Sequence, residues 1–176
     1  FTPRERDWQQ QEIIVDNNDR RSISYIEVDN SKKWKDCDSL GFANAKTLYS
    51  DGENPFTMGT VRQAKATKKK KKYSLVSYQP KFKEAGKYAV YVSYQTLPKS
   101  VPDAKYIVYH KGQATEFTVN QRMGGGTWVY LGTFDFDKGC NEFNRVVCTN
   151  QASKRGVVTT DAVRFGGGMG NIERGG

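Results

Sequence analysis

The sequence predicts an all-β fold, a hairpin-rich antiparallel sandwich of about nine strands. Three observations carry this. Short β-branched and aromatic runs recur along the chain, as a pleated, half-buried surface requires. Turn residues separate them, and 17 of the 176 residues are glycine. No stretch of helix length places apolar residues at helical spacing.

The elements follow in chain order. Residues 1–11 are polar and charged and read as a linker or frayed end. Residues 12–15 form a short strand, and Asp16, Asn17, Asn18 and Asp19 a turn. Residues 22–28 alternate as a second strand. The segment 29–67 is the least regular and longer than an ordinary loop. Strands resume at 74–78, stopped by Pro80, and at 87–95. In the latter, Tyr88, Val90, Val92 and Tyr94 share one face and Ala89, Tyr91 and Ser93 the other. Residues 104–110 and 114–119 pair across a Lys111-Gly112-Gln113 turn. Residues 128–136, 145–149 and 157–165 complete the set. The glycine-rich tail 166–176 reads as a junction to a neighbouring region.

A net charge of +9 points to an anionic partner, and the lysine run 68–72 supplies much of it. The competing reading is a solvated loop before the strand near Tyr73. The run contains only lysine, whereas a nucleic-acid groove interleaves aromatics and arginines, so no specific nucleic-acid partner is expected. No run approaches the ~18 apolar residues of a membrane span. The start at Phe1 reads as an excised piece or a processed form. Cys37, Cys140 and Cys148 are odd in number and lack a CxxC spacing, so ordinary thiols are expected and they do not fix the compartment.

Seven segments, taken together, resemble a known family. They are EIIVDN (12–17), Trp34 followed by Gly41-Phe42, EAGKYAVYVSY (84–94) and DAKYIVYHKG (103–112), then TEFTVNQ (115–121), GGTWVYLGTFDFDKG (125–139) and TNQASKRGVVTTDAVRF (149–165). The ordered set resembles the golvesin-like, xanthan-lyase-associated carbohydrate-binding-like domain of bacteria, over residues 12–165. The stretch 50–67 and the lysine run depart from it as expansions of a loop. The resemblance implies a jelly-roll-like β-sandwich. It further implies an accessory part of a larger secreted or cell-envelope enzyme, extracellular or periplasmic. Polysaccharide lyases and N-acetylmuramoyl-L-alanine amidases are the implied parents. The implied partners are polysaccharide or cell-wall glycan and the parent enzyme's own regions in cis.

The residues offer little for catalysis. His110 is the only histidine, so no Ser/His/Asp set can be assembled around a second one. Glycoside cleavage needs carboxylates held ~5–10 Å apart. Asp135 and Asp137 share a strand face but run into a Lys-Gly turn, which reads as solvation. Asp103 and Asp161 form the other pairing, and Asp161 reads better as a backbone-capping or arginine-pairing residue. The Asp16–Asp19 turn carries oxygen ligands that calcium could use, but EF-hand spacing is absent and no cofactor is expected. Sugar binding needs aromatic faces beside polar groups. Trp34, Tyr91, Trp128 and Tyr130 are the candidate platforms, with Asn120, Gln121 and Arg122 as the polar edge. The competing reading puts Trp128 in the core and leaves a spacer that binds nothing. Lys and Arg at the rim favour an acidic glycan.

Overall fold

The computed structural model describes residues 13–16, 24–29, 33–36, 61–68 and 73–166. Among these there are twelve strands and no helix. They are β1 (Ile13–Asp16), β2 (Tyr25–Val28), β3 (Lys35–Asp36), β4 (Arg62–Lys65), β5 (Leu75–Tyr78) and β6 (Gly86–Ser93), followed by β7 (Ala104–His110), β8 (Gln113–Val119), β9 (Val129–Phe136), β10 (Arg145–Thr149), β11 (Val157–Thr160) and β12 (Ala162–Phe165). They form a jelly-roll-like antiparallel β-sandwich. One sheet has the order β1-β12-β6-β9, a second β2-β5-β10-β7-β8, and a third, smaller sheet β11-β4-β3.

Three strands exceed the expected nine. β3 and β4 lie in the segment read as irregular, and the last run divides in two at Asp161. β4 reads Arg-Gln-Ala-Lys and lacks β-branched residues, so local composition gives no strand signal. It is held by pairing to β11 and β3 and by Ala64, which is buried. Arg62 adds a clamp. Its Nε and Nη2 donate to Glu27 at 2.6 and 2.8 Å, its Nη1 donates to Asp36 at 2.8 Å, and its Nη2 also reaches the Trp34 carbonyl at 3.1 Å. At Asp161 the chain leaves the three-stranded sheet for the four-stranded one. Its N–H donates to the Ser93 carbonyl at 2.9 Å, and its carboxylate accepts from Ser93 Oγ at 3.4 Å. The carboxylate is thus buried beside a side-chain hydroxyl.

The core lies between the sheets and draws on all three. Tyr88, Val90, Val92 and Tyr94 all enter it, as the alternation of β6 requires. A bulge keeps β9 in step: Val90 pairs with Gly132 and Tyr91 with Tyr130, so Leu131 is the extra residue and turns inward. One end of the core is an aromatic cluster. Phe82 stacks on Phe136 at 4.8 Å and meets Phe165 edge-on at 5.5 Å. Phe82 belongs to no strand; reciprocal backbone bonds with Gly139, 3.0 and 2.8 Å, fix it.

Cys140 and Cys148 are free thiols, and Cys37 lies outside the described residues. Burial pushes the Cys148 thiol up to about 12, with smaller opposing pulls from Tyr106 and Thr160. Burial likewise raises Tyr94 to about 12. Both groups are neutral when folded. Their contribution is therefore complete below the ordinary thiol value near 9 and is lost as pH climbs toward 12. The melting temperature is expected to stay level up to about pH 9 and fall above it. A curve that stays flat to pH 11 would contradict the burial of these groups.

Candidate functional site

The structure separates the sequence-expected site residues. Trp34 is 4% exposed and belongs to the core. Tyr91 is 1% exposed: the Tyr130 ring packs beside it at 5.4 Å, and the Arg164 guanidinium lies 5.0 Å over its face. Gln121 is fully buried. None of these three presents a surface to a ligand, which corrects their reading as platforms or polar handles. The physical reason is strand register for Tyr91, which sits between Tyr130 and Arg164 in one cross-strand row. For Gln121 it is a set of internal hydrogen bonds: Nε2 donates to the Thr159 carbonyl at 2.8 Å and to Tyr106 Oη at 3.2 Å, while Oε1 accepts from Thr159 N–H at 2.9 Å.

The other four are reachable in part. Trp128 and Tyr130 are half-buried, and the Tyr130 hydroxyl bonds Thr133 Oγ1 at 2.7 Å. Asn120 and Arg122 are exposed, yet each is bonded locally. Asn120 Oδ1 accepts from Arg122 N–H at 3.0 Å, and Arg122 Nε donates to the Ser100 carbonyl at 3.0 Å. Tyr91 and Tyr130 are brought together, whereas Trp34 belongs to the core cluster. Of the calcium turn, Asp16 is buried at the end of β1 and residues 17–19 lie outside the described residues. Among the described residues no three His, Cys, Asp or Glu side chains could hold a metal. His110 Nε2 is 2.9 Å from Thr115 Oγ1, and its ring packs on Phe134 at 4.8 Å.

A different feature offers a binding surface. Three adjoining cavities of about 790, 400 and 590 Å³ form a groove at one end of the sandwich. The first and second share Ala66 and Arg155, and the second and third share Lys68. Three segments frame it: the strand β4 and its continuation to residue 68, the loop 97–103, and the connection 150–156 between β10 and β11; Lys105 of β7, Thr118 of β8 and Val157 of β11 complete the lining. Backbone bonds lock them together. Val157 N–H donates to the Lys99 carbonyl at 2.8 Å, Ala66 N–H to the Gly156 carbonyl at 2.8 Å, and Thr67 N–H to the Asn150 carbonyl at 2.9 Å. Asn150 is fully buried and its amide ties Lys65 and Ser74 together, donating to one carbonyl at 2.7 Å and accepting one N–H at 2.7 Å.

Gly156 is where this frame closes. At φ +153° a Cβ there would stand 2.4 Å from the Lys99 carbonyl oxygen. That contact cannot be relieved by a side-chain rotation, because the obstacle is backbone. Gly156→Ala is expected to cost roughly 1–3 kcal/mol and to loosen the groove wall. Thermal denaturation checks the first effect. Faster amide exchange at Val157 and Ala66 checks the second.

The groove is basic. Among the described residues Lys65, Lys68, Lys99, Lys105, Lys154 and Arg155 line it, against one acid, Asp103. Asp103 is committed to structure, its Oδ2 accepting from Ser153 N–H at 2.9 Å. Among the described residues, the only ion pair made by these cations is Lys105 Nζ to Glu116 at 3.5 Å. Leu97, Pro98, Ala66 and Val157 give the first cavity an aliphatic wall, and among the described residues no aromatic lines any of the three. The sequence reading singled out only Lys68 of this set. Its other cations are spread over β4, β7 and two loops, and only the backbone pairing gathers them.

Comparison with known proteins agrees with this architecture. The Golvesin C-terminal domain family matches residues 13–167. A xanthan lyase from Bacillus sp. strain GL1 is 34% identical over 92 residues, 51% of this chain and 10% of that protein. The structure of a Paenibacillus xanthan lyase superposes with a TM-score of 0.65 at 20% identity, over 90% of this chain and 13% of that one. The C-terminal CBM6 of LamC, a marine laminarinase from Zobellia galactanivorans, superposes with a TM-score of 0.50 at 13% identity, over 89% of this chain and 99% of that one. The chain thus spans about a tenth of the lyases it matches and nearly the whole of a separate β-sandwich module. Matched by the family over all twelve described strands, the chain belongs to the Golvesin C-terminal domain family.

Proposed function

We propose that this domain is a non-catalytic accessory module that binds glycan for a longer, secreted or envelope polysaccharide-degrading protein. The observation that carries the reading is the loop-end groove: a rigid, concave site with an aliphatic wall and flanking donors, in a fold also used by a carbohydrate-binding module. Leu97 and Pro98 would meet the apolar face of a sugar ring, and Lys99, Arg155 and Gln63 its polar substituents. The parent is of lyase type in this reading, because both long relatives are xanthan lyases. The amidase parent finds no support in these matches and is not carried forward.

A second reading, a spacer that packs on its parent without binding glycan, has one observation in its favour. Trp34 and Tyr91 are buried, so the aromatic strip typical of sugar binding is missing at those positions. Affinity electrophoresis of the domain in gels containing neutral, acidic or peptidoglycan-derived polymers separates the two. Glycan binding predicts retardation by at least one polymer that persists at physiological salt. Unchanged mobility in every gel would favour the spacer.

A further inference from the structure

We propose that the groove takes an anionic polysaccharide chain, engaged along several sugar units rather than at one end. This rests on the glycan-binding reading and assigns the chemical class and mode of its ligand. Exposed lysines on a flat surface are solvated and select nothing. Here the cations line a concavity, where low-dielectric walls focus their field. Among the described residues one acid, Asp103, stands against six cations, so it offsets only part of the row's charge.

The register fixes the spread of charge. Lys65 pairs with Val157, and Val157 bonds the Lys99 carbonyl on its other side. Lys65 and Lys99 therefore stand two strand spacings apart, about 10 Å. Lys68 lies three residues further along the chain, about another 10 Å. Charges so distributed exceed the reach of a single sugar carboxylate. They match a polymer that repeats its anion. The groove also changes character along its length. The first cavity has the aliphatic wall; the third has Thr118, Gln151 and Ser153 as hydroxyl and amide partners for sugar hydroxyls. Nucleic acid is the weaker match, since single strands are held by stacking on aromatic rings and none of the described residues lining the groove is aromatic.

Calorimetric titration with oligogalacturonates of increasing length, from dimer to octamer, tests this on the whole chain. Affinity is expected to rise with length and to vanish when the carboxylates are reduced to alcohols. In the double variant Lys68→Glu/Lys154→Glu the octamer is expected to lose at least about tenfold in affinity, while the dimer, seated in the first cavity, changes less than about twofold. Both side chains are exposed, so an unchanged melting curve verifies the fold. Equal affinity for the reduced oligomers would overturn the anionic assignment and leave the glycan reading standing. Length-independent affinity would overturn engagement along the chain. Tighter binding of single-stranded DNA than of any oligogalacturonate would overturn the assignment to glycan, and failure of every oligosaccharide, charged or reduced, would overturn both readings.

Discussion

Replacing Gln121 with leucine is expected to destabilise the domain by roughly 4 kcal/mol, a large share of what holds a domain of this size together. The side chain is fully buried and makes three hydrogen bonds, two to the Thr159 backbone and one to Tyr106 Oη. Its backbone N–H also bonds the Val101 carbonyl at 3.0 Å. It therefore joins the loop after β8 to both β7 and β11. Leucine has similar bulk but leaves the buried Thr159 carbonyl and N–H unmatched, at about 1–3 kcal/mol for each group that water cannot reach, while Tyr106 Oη keeps its contact with Cys148. The urea midpoint reads the loss. Asn120→Ala next to it gives the contrast: that side chain is exposed and caps only Arg122 N–H, so a change within about 0.5 kcal/mol is expected.

Reversing two charges at the mouth of the groove is expected to act on binding instead. Lys99→Glu/Arg155→Glu should weaken an acidic oligosaccharide by roughly 1,000-fold at low salt. Each cation contributes attraction of about 1 kcal/mol in water, and each substituted carboxylate replaces it with repulsion. The deficit should shrink as salt shortens the screening length. Stability should be untouched, because both side chains are exposed and the groove frame uses the Lys99 carbonyl rather than its amine. An equal loss for wild type and variant at every salt concentration would place the ligand elsewhere.

These two variants mark what the sequence could and could not disclose. The strands with β-branched and aromatic alternation were readable: β7 and β10 fall where the pattern puts them, and the inward face of β6 is the predicted one. β4 was not, since a polar Arg-Gln-Ala-Lys segment becomes a strand only through long-range pairing. The break at Asp161 was hidden as well, because a continuous Val-Val-Thr-Thr-Asp-Ala-Val run says nothing of a change of sheet. The same limit applies at the site. A Val-Asn-Gln-Arg sequence after a strand reads as a polar edge, yet Gln121 turns inward because Thr159 offers it both an N–H and a carbonyl. Tyr91 alternates onto the outer face as expected, but Tyr130 and Arg164 cover it there. The groove cations lie on strands and loops far apart in sequence, and their convergence depends on the bonds that Asn150, Gly156 and Lys99 make.

The central claim is that ligand binds at the loop end of the sandwich and not on its aromatic face. Amide chemical-shift mapping during titration with an acidic oligosaccharide tests it most directly. The account predicts perturbations concentrated at residues 65–68, 97–101 and 151–157, with Val129–Phe136 undisturbed. Shifts centred on Trp128, Tyr130 and Tyr91, with the groove silent, would contradict it.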